Sequence, residues 1–381
     1  MKECVEGSHA IAEIVKLCRP AVVSAYPITP QTHIVEDLSQ FKADGEADFE
    51  FIRSESEFAA ASIVLGASAS GVRTYTATSS QGLLLMAEVI FTISGMRLPV
   101  VLTCANRAVS APINIWNDQQ DAMTVRDSGW IMLFAEDNQE AVDFHLLAFK
   151  LAEHLQIPVM VNVDGFILTH TFEPLEMPSA AQVKKFLPDY NPSSGQFLDV
   201  KNPKSLGCFA TPDDYFEIRK DLFDDLQNSK VTIVKELNNF SKAFKRNNAE
   251  LVEYYGKENA ETVFVAMGSV GGTIKDTIDE LSVAGASVSL ARIKCFRPFP
   301  REEIFKKLSF AKNVAVIDKS VSLGQEGIIA TEVKAVLLGT GVKVQSCVAG
   351  LGGRDITREM LKDVLNKIQG DNSATLFVGL K

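Results

Sequence analysis

Residues 1–175 alternate between two hydrophobic patterns, one typical of buried strands and the other of helices. Short apolar runs predict strands, and the amphipathic or small-residue stretches between them predict helices. The predicted strands are residues 21–26, 49–52, 72–76, 99–103 and 157–163. The predicted helices are residues 8–17, 31–41, 57–69, 81–93 and 141–154. Strands that alternate with helices indicate an α/β fold, a parallel sheet with helices on both faces.

The pattern breaks over residues 172–206, where five prolines predict an extended linker. A charged stretch over residues 212–255 then predicts a helical connector. A second α/β unit begins with the apolar run at residues 262–267, and its further strands are predicted near residues 286–293, 314–318 and 342–346. The predicted division of the chain is a first domain at residues 1–175, a linker and helical connector at residues 176–257, and a second domain at residues 258–381.

Composition narrows the class of protein without identifying it. The chain has 381 residues, of which 46% are hydrophobic and 23% charged, the balance of an ordinary globular protein. A net charge of −10 argues against nucleic-acid binding, which needs clustered Lys and Arg. No apolar run reaches the roughly 18 residues of a membrane span, and the charged start lacks the apolar core of a signal peptide. We therefore expect a cytoplasmic enzyme with no membrane contact.

The six cysteines and five histidines are scattered along the sequence. No two cysteines lie close enough to match an iron–sulfur or zinc spacing, and the histidines match no metal motif. The sequence therefore predicts no metal site in this chain, and any electron acceptor is expected on another polypeptide.

Polar groups follow several predicted strands, at the edge where parallel sheets bind ligands. Thr29 lies in the segment Tyr26–Pro30, whose two prolines stiffen the turn. Its hydroxyl could donate to a carboxylate or cap the next helix. Glu55 and Glu57 precede an Ala-rich, nearly uncharged helix, where they could serve chemistry or only favour the helix N-terminus. For Thr29 and for the two glutamates, the residue pattern does not decide between a functional and a structural role.

Three further segments carry candidate chemistry. Residues 78–82 could bind an anion or cap a helix, although they lack the lysine of a P-loop. Arg107 suits bidentate carboxylate recognition but could equally form a surface salt bridge. Residues 113–121 form a polar loop dense in amides and acids, which is either functional or a structural network. Residues 268–272 do not match G-x-G-x-x-G, so dinucleotide binding has little support.

Taken together, these segments resemble the alpha subunit of the 2-oxoacid:ferredoxin oxidoreductases, and most closely that of the pyruvate enzyme. The resemblance spans nearly the whole chain in the expected order. The segments that carry it are residues 26–30, 54–57, 76–83, 95–99, 106–121, 126–130, 136–140, 164–170, 297–300 and 350–355.

The resemblance implies a fold and a division of cofactors among subunits. The first domain would be the pyrimidine-binding domain of a thiamine diphosphate enzyme, and the second would be similar to the transketolase C-terminal α/β domain. Thiamine diphosphate would be shared with a beta subunit that holds its pyrophosphate and Mg²⁺. The [4Fe-4S] clusters would also lie on other subunits. The expected partners are beta, gamma and delta subunits and ferredoxin, with pyruvate and coenzyme A as small molecules.

The resemblance also implies roles for four residues. Glu57 would be the catalytic glutamate that hydrogen-bonds N1′ of the cofactor's aminopyrimidine, with Glu55 as the neighbouring alternative. Ile28 would join Glu57 in binding the cofactor. Thr29 and Arg107 would hold the carboxylate of pyruvate and so orient its ketone for attack.

The implied function is the oxidative decarboxylation of pyruvate with coenzyme A to acetyl-CoA and CO₂, with electrons passed to ferredoxin, as in anaerobic metabolism. Two alternatives remain open. The enzyme alternative is the alpha subunit of a 2-oxoisovalerate:ferredoxin oxidoreductase, because branched-chain enzymes share residues of the Thr29 and Arg107 type. The non-enzyme alternative is an inactive scaffold subunit.

Overall fold

The computed structural model describes residues 2–246, 249–368 and 374–381. The strands, in chain order, are β1 Glu3–Glu6, β2 Val22–Ala25, β3 Glu50–Arg53, β4 Thr74–Thr78, β5 Val101–Asn106, β6 Ile131–Phe134, β7 Val159–Asp164, β8 Phe172–Leu175, β9 Val252–Gly256, β10 Thr262–Ala266, β11 Val288–Ile293, β12 Cys295–Arg297, β13 Asn313–Asp318, β14 Lys343–Val348 and β15 Leu376–Phe377.

The helices connect most of these strands. In chain order they are α1 Gly7–Leu17, α2 Thr32–Ala43, α3 Glu57–Ala69, α4 Ser80–Leu85, α5 Ala87–Gly95, α6 Gln120–Thr124, α7 Asn138–Leu155, α8 Ala180–Phe186, α9 Pro212–Phe244, α10 Val270–Val283, α11 Arg301–Leu308, α12 Ile328–Leu337 and α13 Arg358–Lys367. Among the described residues, no helix combines the length and the apolar character needed to cross a membrane.

The first main sheet has, within the described chain, the strand order β12-β6-β7-β5-β4-β2-β3. Neighbouring strands are parallel except for β12, which pairs antiparallel with β6. Its central strands β4, β5, β6 and β7 are buried along their whole length, as expected for a parallel sheet covered on both faces. The parallel α/β arrangement predicted for this part of the chain is therefore present.

The second main sheet has, in the described residues, the order β15-β14-β13-β10-β11-β9. It is parallel except for β9, which runs antiparallel to β11. The predicted helix over residues 212–255 is therefore wrong at its end, because α9 stops at Phe244 and residues 252–256 form an edge strand. Local charge and periodicity did not reveal a strand whose partner lies far along the chain.

Two further predictions of local structure are corrected. The predicted helix over residues 81–93 is two helices, α4 and α5, which meet at Met86. The segment 172–206, expected as a linker, contains β8, which pairs antiparallel with β1, and the short helix α8. The division into residues 1–175, 176–257 and 258–381 stays a prediction.

Hydrophobic clusters cover both faces of the first sheet. On one face, α1 and α7 pack with side chains such as Ile11 and Phe149 against β4, β5 and β7. On the other face, residues of α3 and α5 form one cluster with the second sheet, including Val263 and Ile293. This shared core joins the two sheets into one packed unit.

A buried ion-pair network also connects the two sheets. Glu140 of α7 accepts two hydrogen bonds from Arg292 of β11, at 2.7 and 3.0 Å, and Lys294 lies 2.9 Å from the same carboxylate. Arg292 also contacts Glu136 and Glu253. Burial by itself would raise the pKa of Glu140, but the Arg292 and Lys294 charges hold it far below its ordinary value.

Candidate active site

The carboxyl edge of the first sheet gathers the polar segments that follow β2, β3, β4 and β5. These strands are adjacent and parallel, so the residues after them meet at one edge. The predicted residues Ile28, Thr29, Glu57 and Arg107 all lie in these segments. Their side chains and contacts define a candidate active site.

Glu57 is the first residue of α3 and is buried, with 7% of its surface exposed. The hydroxyl of Ser56 caps the helix by accepting from the Ala59 amide, so Glu57 is not needed as the cap. Within the described residues, no group donates a hydrogen bond to the Glu57 carboxylate. Its neighbour Glu55 is exposed. The structure thus separates two glutamates that the sequence left as alternatives.

The backbone of Gly82 packs closely against the Glu57 carboxylate. A methyl group on the Cα of Gly82 would lie 2.6 Å from Oε1 of Glu57 and 2.5 Å from Oγ1 of Thr78. Thr78 ends β4, and its hydroxyl is buried with no hydrogen-bond partner in the described chain. Gly82 is therefore required at this point of α4, because any larger side chain would collide with both oxygens. The carboxylate of a residue that is only 7% exposed, next to a buried hydroxyl without a partner in the described residues, suits a polar ligand group.

Arg107 and Thr29 are in direct contact. The guanidinium Nη1 of Arg107 donates to the Thr29 carbonyl at 2.9 Å, and its Nε donates to the Asn114 carbonyl at 2.9 Å. In the part of the chain that the structure describes, Nη2 has no acceptor. Burial lowers the pKa of Arg107, although the nearby Asp121 charge raises it. The surface salt bridge considered as an alternative is absent among the described residues, since Arg107 pairs with backbone carbonyls.

Thr29 is exposed, and its hydroxyl lies on the segment between β2 and α2. The alternative that it caps the next helix is wrong, because Gln31 is the N-cap residue of α2. Gln31 is fully buried, and its side-chain amide donates to the Ala77 carbonyl at 2.8 Å and accepts from the Ile28 amide at 3.3 Å. Ile28 and Thr29 are thereby tied to the end of β4.

Asp121 connects the segments that form the site, and the sequence did not single it out. Its buried carboxylate accepts from the backbone amides of Ser80 and Arg107, both at 2.9 Å, and from the Asn106 side chain at 3.0 Å. Burial raises the pKa of Asp121, while these hydrogen bonds lower it. Asp121 therefore holds together the start of α4 and the end of β5. It also occupies the Ser80 amide, so residues 78–82 lack that donor for an anion.

The loop after β5 contacts the second half of the chain. Asn114 donates to the Gly352 carbonyl at 3.1 Å, and Asp118 accepts from the Gly352 amide at the same distance. Asp118 is buried, and desolvation raises its pKa to about 6. The polar loop predicted over residues 113–121 is thus partly a structural network, and it also carries the Asn114 carbonyl that orients Arg107.

Comparison with known families decides the class of protein. Residues 13–238 match the model for pyruvate flavodoxin/ferredoxin oxidoreductase, thiamine diphosphate-binding, and residues 260–361 match that for pyruvate:ferredoxin oxidoreductase core domain II. The chain belongs to the pyruvate:ferredoxin oxidoreductase family. The resemblance drawn from the sequence is therefore confirmed, as is an α/β fold with a thiamine diphosphate-binding first half.

Curated relatives of this family member are similar along nearly their whole length. The pyruvate synthase subunit PorA of Methanocaldococcus jannaschii is 48% identical over 99% of this chain and 97% of its own. PorA of Methanosarcina barkeri is 47% identical over 95% of this chain and 91% of its own. The ketoisovalerate oxidoreductase subunit VorA of Pyrococcus horikoshii is 42% identical over 96% of this chain and 93% of its own.

A solved structure shares the fold of this family member. The 2-oxoglutarate:ferredoxin oxidoreductase from Magnetococcus marinus, with 2-oxoglutarate, coenzyme A and succinyl-CoA bound, superposes with a TM-score of 0.76 at 21% identity. The match covers 96% of this chain and 65% of that longer chain.

Proposed function

We propose that this chain is the alpha subunit of a pyruvate:ferredoxin oxidoreductase, or pyruvate synthase. The assembled enzyme would decarboxylate pyruvate oxidatively, form acetyl-CoA and CO₂, and pass electrons to ferredoxin. The observation that carries the proposal is the carboxylate of the buried residue Glu57, which has no partner in the described residues of a chain from a thiamine diphosphate-binding family. The names of the PorA relatives support pyruvate as the substrate.

Thiamine diphosphate, when bound, supplies the nucleophilic carbon that attacks the ketone of a 2-oxoacid. Glu57 would hold a proton at N1′ of the aminopyrimidine through a hydrogen bond. Low exposure should strengthen that bond, because little water competes for the carboxylate. The Thr78 hydroxyl, which has no partner in the described residues, lies close to Gly82 on the same side as the Glu57 carboxylate and would be a second polar group beside the cofactor ring. Ile28, which is half-buried, would line the same site.

Arg107 would bind the substrate carboxylate through Nη2, whose neighbouring nitrogens are already fixed by backbone carbonyls. Fixing two of the three nitrogens sets the direction of the third before the substrate arrives, so less freedom is lost on binding. The Thr29 hydroxyl, exposed on the segment that Arg107 contacts, would donate a second hydrogen bond. Asp121 would act only by positioning, since it holds the Arg107 amide.

The remaining components would come from other polypeptides. The beta subunit would hold the pyrophosphate and Mg²⁺, and other subunits would carry the [4Fe-4S] clusters that pass electrons to ferredoxin. Within the described residues, no potential metal-binding group includes a cysteine, and four of the six cysteines are buried. The beta, gamma and delta partners and a cytoplasmic location stay predictions.

The test is co-expression of the chain with its beta, gamma and delta partners, followed by a pyruvate-dependent viologen-dye assay. We expect dye reduction that requires coenzyme A and all the subunits, and no activity from the chain alone. If the assembled complex, loaded with thiamine diphosphate, reduced no dye with any 2-oxoacid, the proposal would be rejected in favour of the inactive scaffold.

The second candidate is a branched-chain 2-oxoacid enzyme, which is favoured by the 42% identity to VorA, only slightly below that to the PorA relatives. The same complex should be given pyruvate, 2-oxoisovalerate and 2-oxoglutarate in parallel. We expect the highest kcat/KM with pyruvate. A higher kcat/KM with 2-oxoisovalerate would keep the family and the reaction but change the substrate.

A further inference from the structure

Two histidines and a glutamate that are remote in sequence meet at one side of the first sheet. Glu6 ends β1, His33 lies in the first turn of α2, and His170 follows β7. Each of the three can offer one ligand atom such that all of these atoms lie within 4.8 Å of one another. The histidine spacing along the sequence did not predict this cluster, because its members come from three separate segments.

The geometry of the cluster is close to that of a metal site. Nδ1 of His33 lies 2.8 Å from Oε1 of Glu6, and the rings of His33 and His170 are 4.6 Å apart between centroids. Ligand bonds to Zn²⁺ are about 2.0–2.2 Å, so neighbouring ligands of a tetrahedral ion lie roughly 3.4 Å apart. The side chain of His33 is 45% exposed and that of Glu6 is 19% exposed. Small rotations of these side chains would therefore close the cluster on an ion.

His170 has the supporting contacts that a metal ligand needs. Its Nδ1 lies 2.7 Å from the Thr169 hydroxyl, which also accepts from the Phe166 amide at 2.8 Å. The Phe166 ring packs against the imidazole with centroids 4.7 Å apart. When Nδ1–H donates to this hydroxyl, the other ring nitrogen is free to bind a metal, and the ring orientation is fixed. Metal-binding histidines commonly have such a second contact.

A hydrogen-bonded cluster without metal is the competing explanation. In that case two imidazoles share a single carboxylate, and the protonation of one disfavours that of the other. Burial and the nearby His33 both lower the pKa of His170, so its neutral form is favoured. Neutral imidazole is also the form that binds a metal ion. The cluster thus offers two imidazole nitrogens and one carboxylate oxygen as ligands.

We propose that Glu6, His33 and His170 bind a divalent transition-metal ion of the Zn²⁺ type, with water completing the coordination. Nitrogen and carboxylate ligands together suit Zn²⁺, whereas Mg²⁺ prefers oxygen ligands alone. The ion would tie β1, α2 and the turn after β7 to one another. Because α2 begins three residues after Thr29, the bound ion would also steady the segment that carries the proposed substrate contact.

The experiment is calorimetric titration of Zn²⁺ into the full chain purified without a histidine tag, with Co²⁺ absorbance as a second readout. We expect one saturable Zn²⁺ site, the visible spectrum of tetrahedral Co²⁺, and no competition from Mg²⁺. His33→Ala and His170→Ala should each weaken Zn²⁺ binding more than about 100-fold. Thr169→Val should weaken it by about 10- to 100-fold, the usual effect of removing a contact behind a ligand.

The matched control is His9→Ala. His9 is 46% exposed and lies 3.0 Å from Asp37, much as His33 lies beside Glu6, but among the described residues no second imidazole joins that pair in a potential metal site. This variant should bind Zn²⁺ as the parent does, and so should a Cys4→Ser, Cys208→Ser double variant, which removes the two exposed thiols. Absence of a saturable site would overturn the proposal. So would binding that survives in folded His33→Ala and His170→Ala chains, or that disappears with the thiols.

Zn²⁺ binding should also raise the melting temperature of the parent and of the His9→Ala chain, because a ligand stabilises the state that binds it. The His33→Ala chain should show no such increase. An equal increase in the His33→Ala chain would place the ion elsewhere and overturn the assignment.

Discussion

Glu57 and Glu140 are equally buried, each with 7% of its surface exposed, but their surroundings differ completely. Glu140 accepts hydrogen bonds from Arg292 and lies beside Lys294, between the two sheets. Glu57 lies at the carboxyl edge of the first sheet and has no donor among the described residues. The Glu140 carboxylate is therefore compensated by cations within the chain, whereas the Glu57 carboxylate is not.

The difference separates structural charges from functional charges. Removing a carboxylate from water is costly unless cations or hydrogen bonds replace the lost hydration. At Glu140 the compensation lies within the chain, so its negative charge stabilises the contact between the sheets. At Glu57 the compensation has to come from outside the chain, and a cofactor that donates a hydrogen bond would provide it. The exposure of these residues alone would not have distinguished them.

Glu57→Gln should have the largest effect on activity. An amide cannot hold a proton at the cofactor as a carboxylate does, so kcat of the assembled complex should fall by about 10²–10⁴-fold. The stability of the chain should not decrease, because no partner of Glu57 in the described residues loses a bond. The measurements are the viologen-dye assay and the melting temperature. The control is Glu55→Gln, which changes an exposed carboxylate two residues away and should leave both values unchanged.

Normal activity in the Glu57→Gln complex would remove Glu57 from the proposed role. If the Glu57→Gln chain were less stable but normally active, the contrast between Glu57 and Glu140 would also fail, because Glu57 would then be a structural charge like Glu140.

Arg107→Lys should have the second-largest effect on activity. A lysine keeps the charge but cannot fill the positions of Nη1, Nε and Nη2 together, so the contact with the substrate carboxylate is lost or misaligned. The cost should be about 2–4 kcal/mol of transition-state binding, measured as a lower kcat/KM for pyruvate. Arg126→Lys is the matched control, since Arg126 donates to the Met123 carbonyl within its own turn. Unchanged pyruvate kinetics for Arg107→Lys would contradict the assignment.

Some of this site could be predicted from the sequence, and the reasons are local. Strand-like runs followed by polar residues placed Thr29, Glu57 and Arg107 at one sheet edge, because the carboxyl ends of parallel strands must meet there. The choice of Glu57 over Glu55 came from the resemblance to the family, and the structure does bury Glu57 and expose Glu55. The roles of these residues remain predictions that the variants above test.

The remaining contacts depend on pairs that no local pattern encodes. Glu140 and Arg292 are 152 positions apart, and neither stands out in its own segment. Strand β12 follows β11 closely in the sequence but pairs with β6 in the other main sheet. Asp121 lies in a loop that was recognised as polar, yet only the fold shows that its carboxylate joins α4 to β5. Tertiary packing decides such contacts, and a single sequence does not report it.

Glu140→Gln should reverse the outcome expected for Glu57→Gln. Loss of its charge removes the anion that Arg292 and Lys294 both contact, although Arg292 keeps Glu136 and Glu253. The free energy of unfolding should therefore fall by about 3 kcal/mol, at the lower end of the cost of breaking a buried ion pair. The measurement is urea denaturation of the isolated chain. Glu302→Gln, which breaks a surface pair with Lys230, should cost less than about 1 kcal/mol.

The acid limb of the stability curve gives a second test of Glu140. Its pKa in the folded chain lies well below the ordinary 4.5, so its contribution is present above about pH 4.5 and is lost as the pH falls further. Glu140→Gln should flatten this limb. An unchanged limb would mean that Arg292 and Lys294 do not depend on the Glu140 charge.

Asp118 is compensated less fully than Glu140 but more fully than Glu57. Its substitution should have the smallest effect of those predicted here. It accepts two backbone amides, from Gln120 and Gly352, but no cation lies within ion-pair distance of it in the described residues. Burial raises its pKa from 3.8 to about 6. Between these two pH values the folded chain holds a proton on Asp118 that the unfolded chain has already released. Stability should therefore fall as the pH rises through this window, by about 1 kcal/mol between pH 5 and 7.

Asp118→Asn removes the titrating group and keeps an oxygen that can accept from Gly352, so its stability should change less between pH 5 and 7 than that of the parent. The measurement is the difference between the two unfolding free energies at several pH values. Two parallel curves would show that the backbone amides alone compensate the Asp118 charge. In that case a missing cation would not be enough to make a buried carboxylate costly, and the reading of Glu57 as an open charge would lose its physical basis.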